Sequence, residues 1–187
     1  KGGTASSVVC GYPGAAITPA ADGSLYVWGT QWGINHQLWR IDGSSCIRLD
    51  PPWAGTSVWV DDVLAQPDGS VVLALRERVY DASRLGQLVR FDGSRWTTLG
   101  EFTQADTPSS FFTDPAGGIW RLVRDGGVSG GLERLDAGSW LAPDSGLDLV
   151  EGATGVVPAP DGSLWVPVGS TGLARLIPTW DPATTAP

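Results

Sequence analysis

No part of this sequence spaces its apolar residues at helical intervals between capping residues, which leaves helical bundles and α/β folds without support. Nor does any apolar run approach the roughly 20 residues that a membrane helix needs. Lys1–Cys10 lacks the apolar core of a signal peptide. Positive charge is scarce: 12 Lys and Arg stand against 20 Asp and Glu, a formal net charge of −8. Such a chain cannot release counterions from phosphates, so nucleic acid is excluded as a partner, and an anionic membrane surface would repel it. Methionine is absent, so Lys1 is read as the first residue of a mature or excised domain. Lysine and asparagine are also rare, a bias typical of a GC-rich bacterial genome. There is one histidine, His36, and no Cys-x-x-Cys or paired-histidine motif, so neither a metal nor a cofactor is expected. Two cysteines, Cys10 and Cys46, allow one disulfide, which would suit an exported domain; two buried free thiols are the alternative.

What the chain does have is turns. Glycine (26) and proline (14) are abundant, while 42% apolar and 17% charged residues are the proportions of a folded domain. One phrase recurs four times: Ala20–Tyr26 (Ala-Ala-Asp-Gly-Ser-Leu-Tyr), Gln66–Val72 (Gln-Pro-Asp-Gly-Ser-Val-Val), Asp114–Trp120 (Asp-Pro-Ala-Gly-Gly-Ile-Trp) and Ala159–Trp165 (Ala-Pro-Asp-Gly-Ser-Leu-Trp). Its turn residues Asp22, Asp68, Ala116 and Asp161 lie 46, 48 and 45 positions apart, a period that signifies an array of one supersecondary unit.

Each unit reads as strands. Asp-Gly between two apolar stretches signals a hairpin, because glycine accepts the positive φ that the turn requires. A second strand follows each turn, beginning at Leu25, Val71, Ile119 and Leu164, and a third follows a loop of variable length. In the first three units a second turn (Asp42-Gly43-Ser44, Asp92-Gly93-Ser94, Asp136-Ala137-Gly138) leads to a fourth strand. Four antiparallel strands in a repeat of about 45 residues is the blade of a β-propeller. The expected fold is all-β, a four-bladed propeller spanning 1–177, with blades at about 11–50, 57–100, 108–142 and 150–177 and a linker-like tail at 178–187. The last unit lacks a fourth strand, and Gly2–Val9 has the pattern of one. That segment is expected to complete the last blade and close the ring, removing exposed edges. Tyr26, Trp120 and Trp165 share one repeat position and are expected to pack blade against blade.

The phrases Pro-Asp-Gly-Ser-Leu-Trp, Gly-Leu-x-Arg-Leu and Leu-Val-Arg-Phe-Asp-Gly-Ser-x-Trp resemble the bacterial two-component-regulator propeller repeat and, less closely, NHL repeats and the streptogramin lyase propeller. The resemblance covers residues 11–177 and is specific for architecture. It implies an extracellular or cell-surface bacterial sensor or interaction domain. Those relatives have six or seven blades where four are counted here, and His36 does not align with the lyase's catalytic histidine.

Within a blade the Asp-Gly-Ser turns all fall on one end of the ring, leaving the long, dissimilar loops at the other, where binding on a rigid scaffold usually resides. The candidate binding residues are Trp32, His36, Trp53, Trp59, Asp62, Tyr80 and Arg124. The aromatics could stack on a sugar or anchor a protein. Asp61 and Asp62 adjoin a passage but, as strand neighbours, should point to opposite faces, which argues against a shared metal. Arg76-Glu77-Arg78 is read as a solvated charged run. Gly127–Gly131 matches Gly-x-Ser-x-Gly without the strand-to-helix context of a nucleophile elbow. His36, read as lying in a loop, is the one weak catalytic candidate. The leading expectation is therefore a non-catalytic sensor or interaction domain with a protein or glycan ligand, monomeric if the ring is closed and homodimeric otherwise. A carbohydrate-binding propeller and an enzyme of the lyase or lactonase type are the alternatives.

Overall fold

The computed structural model describes residues 16–31, 35–50, 58–77, 85–103, 110–125, 128–142, 155–168 and 172–177. They form fifteen strands and no helix. The first sheet contains β1 (Ala16–Pro19), β2 (Leu25–Gln31), β3 (Asn35–Asp42) and β4 (Ser45–Leu49). The second contains β5 (Val58–Ala65), β6 (Val71–Glu77), β7 (Leu85–Phe91) and β8 (Trp96–Thr103). The third contains β9 (Ser110–Thr113), β10 (Ile119–Asp125), β11 (Val128–Asp136) and β12 (Ser139–Leu141). β13 (Val157–Pro158), β14 (Leu164–Val168) and β15 (Gly172–Leu176) make the fourth. Each sheet is an antiparallel meander in chain order, so each strand pairs with its sequence neighbour. The first strands of the sheets lie side by side, β1 against β5, β5 against β9 and β9 against β13, and so line the axis of a propeller-like array.

The repeated phrase forms the same turn each time. Ala20 and Ser24 are bridged by a backbone bond of 2.8 Å, and Gly23 N–H donates to Ala20 O at 3.1 Å. Gly23 then sits at φ +83°, in the left-handed region where a Cβ is costly. Asp22 accepts from both Ser24 N–H (2.9 Å) and Ser24 Oγ–H (2.6 Å). Arg40, on the third strand, closes the unit by donating to Asp22 Oδ2 at 2.7 Å and to Ser24 Oγ at 3.3 Å. The same trio recurs as Asp68, Ser70 and Arg90, and as Asp161, Ser163 and Arg175. In the third sheet, where Ala116 occupies the turn position, Asp114 takes over and accepts from Ala116 N–H, Gly118 N–H and Trp120 Nε1–H.

Strand alternation decides which residue meets which neighbour. The first residue after each turn packs toward the preceding sheet and the second toward the following one. Tyr26 and Val71 thus share one apolar cluster, Val72 and Ile119 another, Trp120 and Leu164 a third. The seams are also tied by polar bonds: Thr18 Oγ1–H to Val63 O (3.0 Å), Tyr26 O–H to Gly69 O (3.3 Å) and Gln66 Nε2–H to Thr113 Oγ1 (2.9 Å).

The fourth sheet has three strands among the described residues, as the sequence implied. Gly2–Val9, expected to complete it, lies outside the described residues. Cys46 is disulfide-bonded; Cys10, the chain's other cysteine, lies outside the described residues.

Candidate functional site

Of the seven candidate residues, the described structure resolves the surroundings of one, Asp62. Trp32, Trp53 and Tyr80 lie outside the described residues. Trp59 is in β5, paired with Arg76. Arg124 is in β10, paired with Ser129 across a register shift. His36, expected in a loop, belongs instead to β3 and pairs with Thr30, because the hairpin between β2 and β3 extends further than the apolar pattern suggested.

Asp62 sits on an axis-lining strand, where β5 is irregular. Val60 pairs with Leu75 and Asp62 with Ala74, so Asp61 is an extra residue with no partner in the ladder. Such a bulge re-aims the side chains around it. Asp61 turns to Arg76, which donates to it through Nε and through Nη2, the latter at 2.6 Å. Arg76 is therefore half-buried and ion-paired, a correction to its reading as part of a solvated charged run. Freed from Asp61, Asp62 points into the seam between the second and third sheets. Its Oδ1 accepts from Val63 N–H (2.9 Å) and its Oδ2 from Phe111 N–H (3.3 Å). Burial pushes its carboxyl above the usual aspartate value, against the opposing pull of these two backbone donors. A carboxylate held in place by two N–H groups, yet with raised proton affinity, has the properties of a general base.

By sequence Asp62 is a candidate binding residue, and a metal shared with Asp61 is disfavoured because strand neighbours point to opposite faces. The two carboxylates do diverge: Asp61 is ion-paired with Arg76, and Asp62 is half-buried and held by Val63 and Phe111 N–H. Among the described residues no three His, Cys, Asp or Glu side chains converge as metal donors.

Two clefts open at the end of the array that carries the Asp-Gly-Ser turns. One, of about 280 Å³, is lined by Gln66, Asp68, Arg90, Ala116 and Ile119 at the seam of the second and third sheets. The other, of about 450 Å³, is lined by Asp114, Trp120, Arg134, Pro160 and Leu164 at the next seam. Their polar groups are largely committed to the turn clamps just described, which is consistent with that end being structural.

The sequence matches no protein-family model and no curated protein. In fold it resembles a gluconolactonase from Xanthomonas campestris, with a TM-score of 0.56 and 16% identity over 87% of this chain and 61% of that one. The structure of streptogramin B lyase aligns with a TM-score of 0.45 and 14% identity over 90% of this chain and 71% of that one. The chain thus spans about three-fifths of the lactonase's length. The likeness to the lactonase agrees with a β-propeller fold. It also runs against the leading functional expectation of a non-catalytic sensor or interaction domain, because the structure that the fold resembles is that of an enzyme.

Proposed function

We propose that this chain is an enzyme of the lyase or lactonase type in which Asp62 is the general base. The observation that carries the proposal is the half-buried carboxylate of Asp62, set apart from the Asp61–Arg76 ion pair and positioned by Val63 and Phe111 on a bulged axis-lining strand. The likeness to a gluconolactonase supports the class of chemistry. In the lactonase form, Asp62 takes a proton from water as the water oxygen bonds to the lactone carbonyl carbon. The bond between the carbonyl carbon and the ring oxygen then breaks, and that oxygen takes the proton back from Asp62 to leave as the product hydroxyl. Elevated proton affinity suits this role, because a base of ordinary aspartate strength takes protons weakly at neutral pH.

The four sheets are read as four blades, and the disulfide at Cys46 supports an oxidising, extracytoplasmic setting. The decisive experiment is a pH-stat assay of the chain against a series of sugar and aliphatic lactones, with Asp62→Asn and Asp61→Asn alongside. Turnover that Asp62→Asn abolishes and Asp61→Asn largely spares is expected. Absence of turnover on every lactone, or an undiminished Asp62→Asn, defeats the lactonase form.

A further inference from the structure

Among the described residues, the two ends of the array present complementary apolar faces that no other described element covers. In the interior, each seam joins the second residue after one turn to the first residue after the next: Tyr26 with Val71, Val72 with Ile119, Trp120 with Leu164. Each of these six residues is 7% exposed or less. At the ends the same positions are open. Leu25, a first residue, is 36% exposed, and Trp165, a second residue, is 38% exposed. Register extends both faces. Ile17 pairs with Val27, two residues along from Leu25, and so shares its face; it is 64% exposed. Val157 pairs directly with Trp165, and Leu173 pairs with Pro167, two residues along from Trp165. Both are exposed on that face. By the grammar of the three interior seams, the face of Trp165 fits the face of Leu25. Arg175 beside Trp165 repeats the Arg134 that lies 5.8 Å from the Trp120 ring.

We infer that the occupant of each end face is the opposite end of a second copy of this chain, and that two copies close head to tail into one eight-bladed ring. The open faces favour this over closure of one chain on itself: Leu25 and Trp165 stay exposed where their counterparts at the interior seams are covered. Four-bladed and eight-bladed rings both lie within the known range of blade number. A head-to-tail contact that closes after two copies leaves no free face and forms no fibre. The inference does not depend on the proposed activity.

The test is the solution mass of the full chain by light scattering and native mass spectrometry. A species of twice 19.6 kDa is expected. Ile17→Arg and Leu173→Arg, both at exposed positions, should each give monomers with an unchanged β-sheet circular dichroism spectrum. Mixed in equal amounts they should recover a dimer, because the intact Trp165 face of the first variant meets the intact Leu25 face of the second. A monomeric wild-type chain would overturn the inference and assign the end faces to the chain's own terminal segments or to further blades. Open-ended polymers would overturn the two-copy closure, and failure of the mixture to recover would overturn the head-to-tail pairing.

Discussion

Leu25 and Leu164 are the same residue type at the same repeat position, yet the fold gives them different surroundings. Leu164 is fully buried among Phe112, Trp120, Leu122 and Leu132 at the last interior seam. Leu25 is 36% exposed on the open face of the first sheet. Truncation of each to alanine therefore separates position from chemistry. Leu164→Ala removes buried carbons and leaves a cavity bounded by aromatic rings that cannot easily collapse, at a cost of about 3 kcal/mol. Leu25→Ala loses only partly buried area and leaves no enclosed void, so about 1 kcal/mol is expected. The assay is urea unfolding followed by tryptophan fluorescence, in a Leu173→Arg background so that association does not contribute. With a urea slope of about 2 kcal/mol per molar, the two midpoints should differ by about 1 M. Equal losses would refute the assignment of Leu25 to an uncovered face. In the wild-type background the cost of Leu25→Ala should rise with protein concentration if the end faces meet.

Three further outcomes follow from local geometry. Asp62 has its carboxyl pushed upward by burial, so it opposes folding as pH rises above the usual aspartate value near 3.8 and through its folded-state value. The melting temperature of wild type relative to Asp62→Asn should accordingly fall as pH rises from acid to neutral; a difference constant with pH would contradict this. Asp161 is held down to about 2 by the Ser163 hydroxyl and backbone, and Asp22 and Asp68 are lowered by the equivalent serines. These groups favour folding above the ordinary aspartate range and lose that contribution only as pH falls through their depressed values. Asp161→Asn should therefore lower the melting temperature at neutral pH, and by progressively less as pH falls through about 2. A Cβ on Gly86 would overlap the Phe102 ring, so Gly86→Ala should cost roughly 1–3 kcal/mol by thermal melting, recovered in part by Phe102→Leu.

Local chemistry made the turns legible. Asp-Gly-Ser specifies its own hydrogen bonds within three residues, and β14 begins and ends where the apolar pattern placed it. The arginines that lock these turns were not legible. Asp22 reaches Arg40 across 18 positions, Asp68 reaches Arg90 across 22, and Asp161 reaches Arg175 across 14. The intervening loops differ in length, so only cross-strand register reveals the match. His36 was misplaced for a related reason: backbone pairing carries a hairpin beyond its last apolar residue.

The sequence by itself determined the period, the turns and the alternation along each strand, because these depend on neighbours within a few residues. Only the tertiary structure decided what each alternating face meets. A residue some 45 positions away settles whether Leu164 is buried and Leu25 is not. Pairing between β5 and β6 likewise settles which member of the Asp61–Asp62 pair is neutralised by Arg76, 15 positions away, and which is left as a half-buried carboxylate. Burial is a property of the partner surface, and no residue carries it alone.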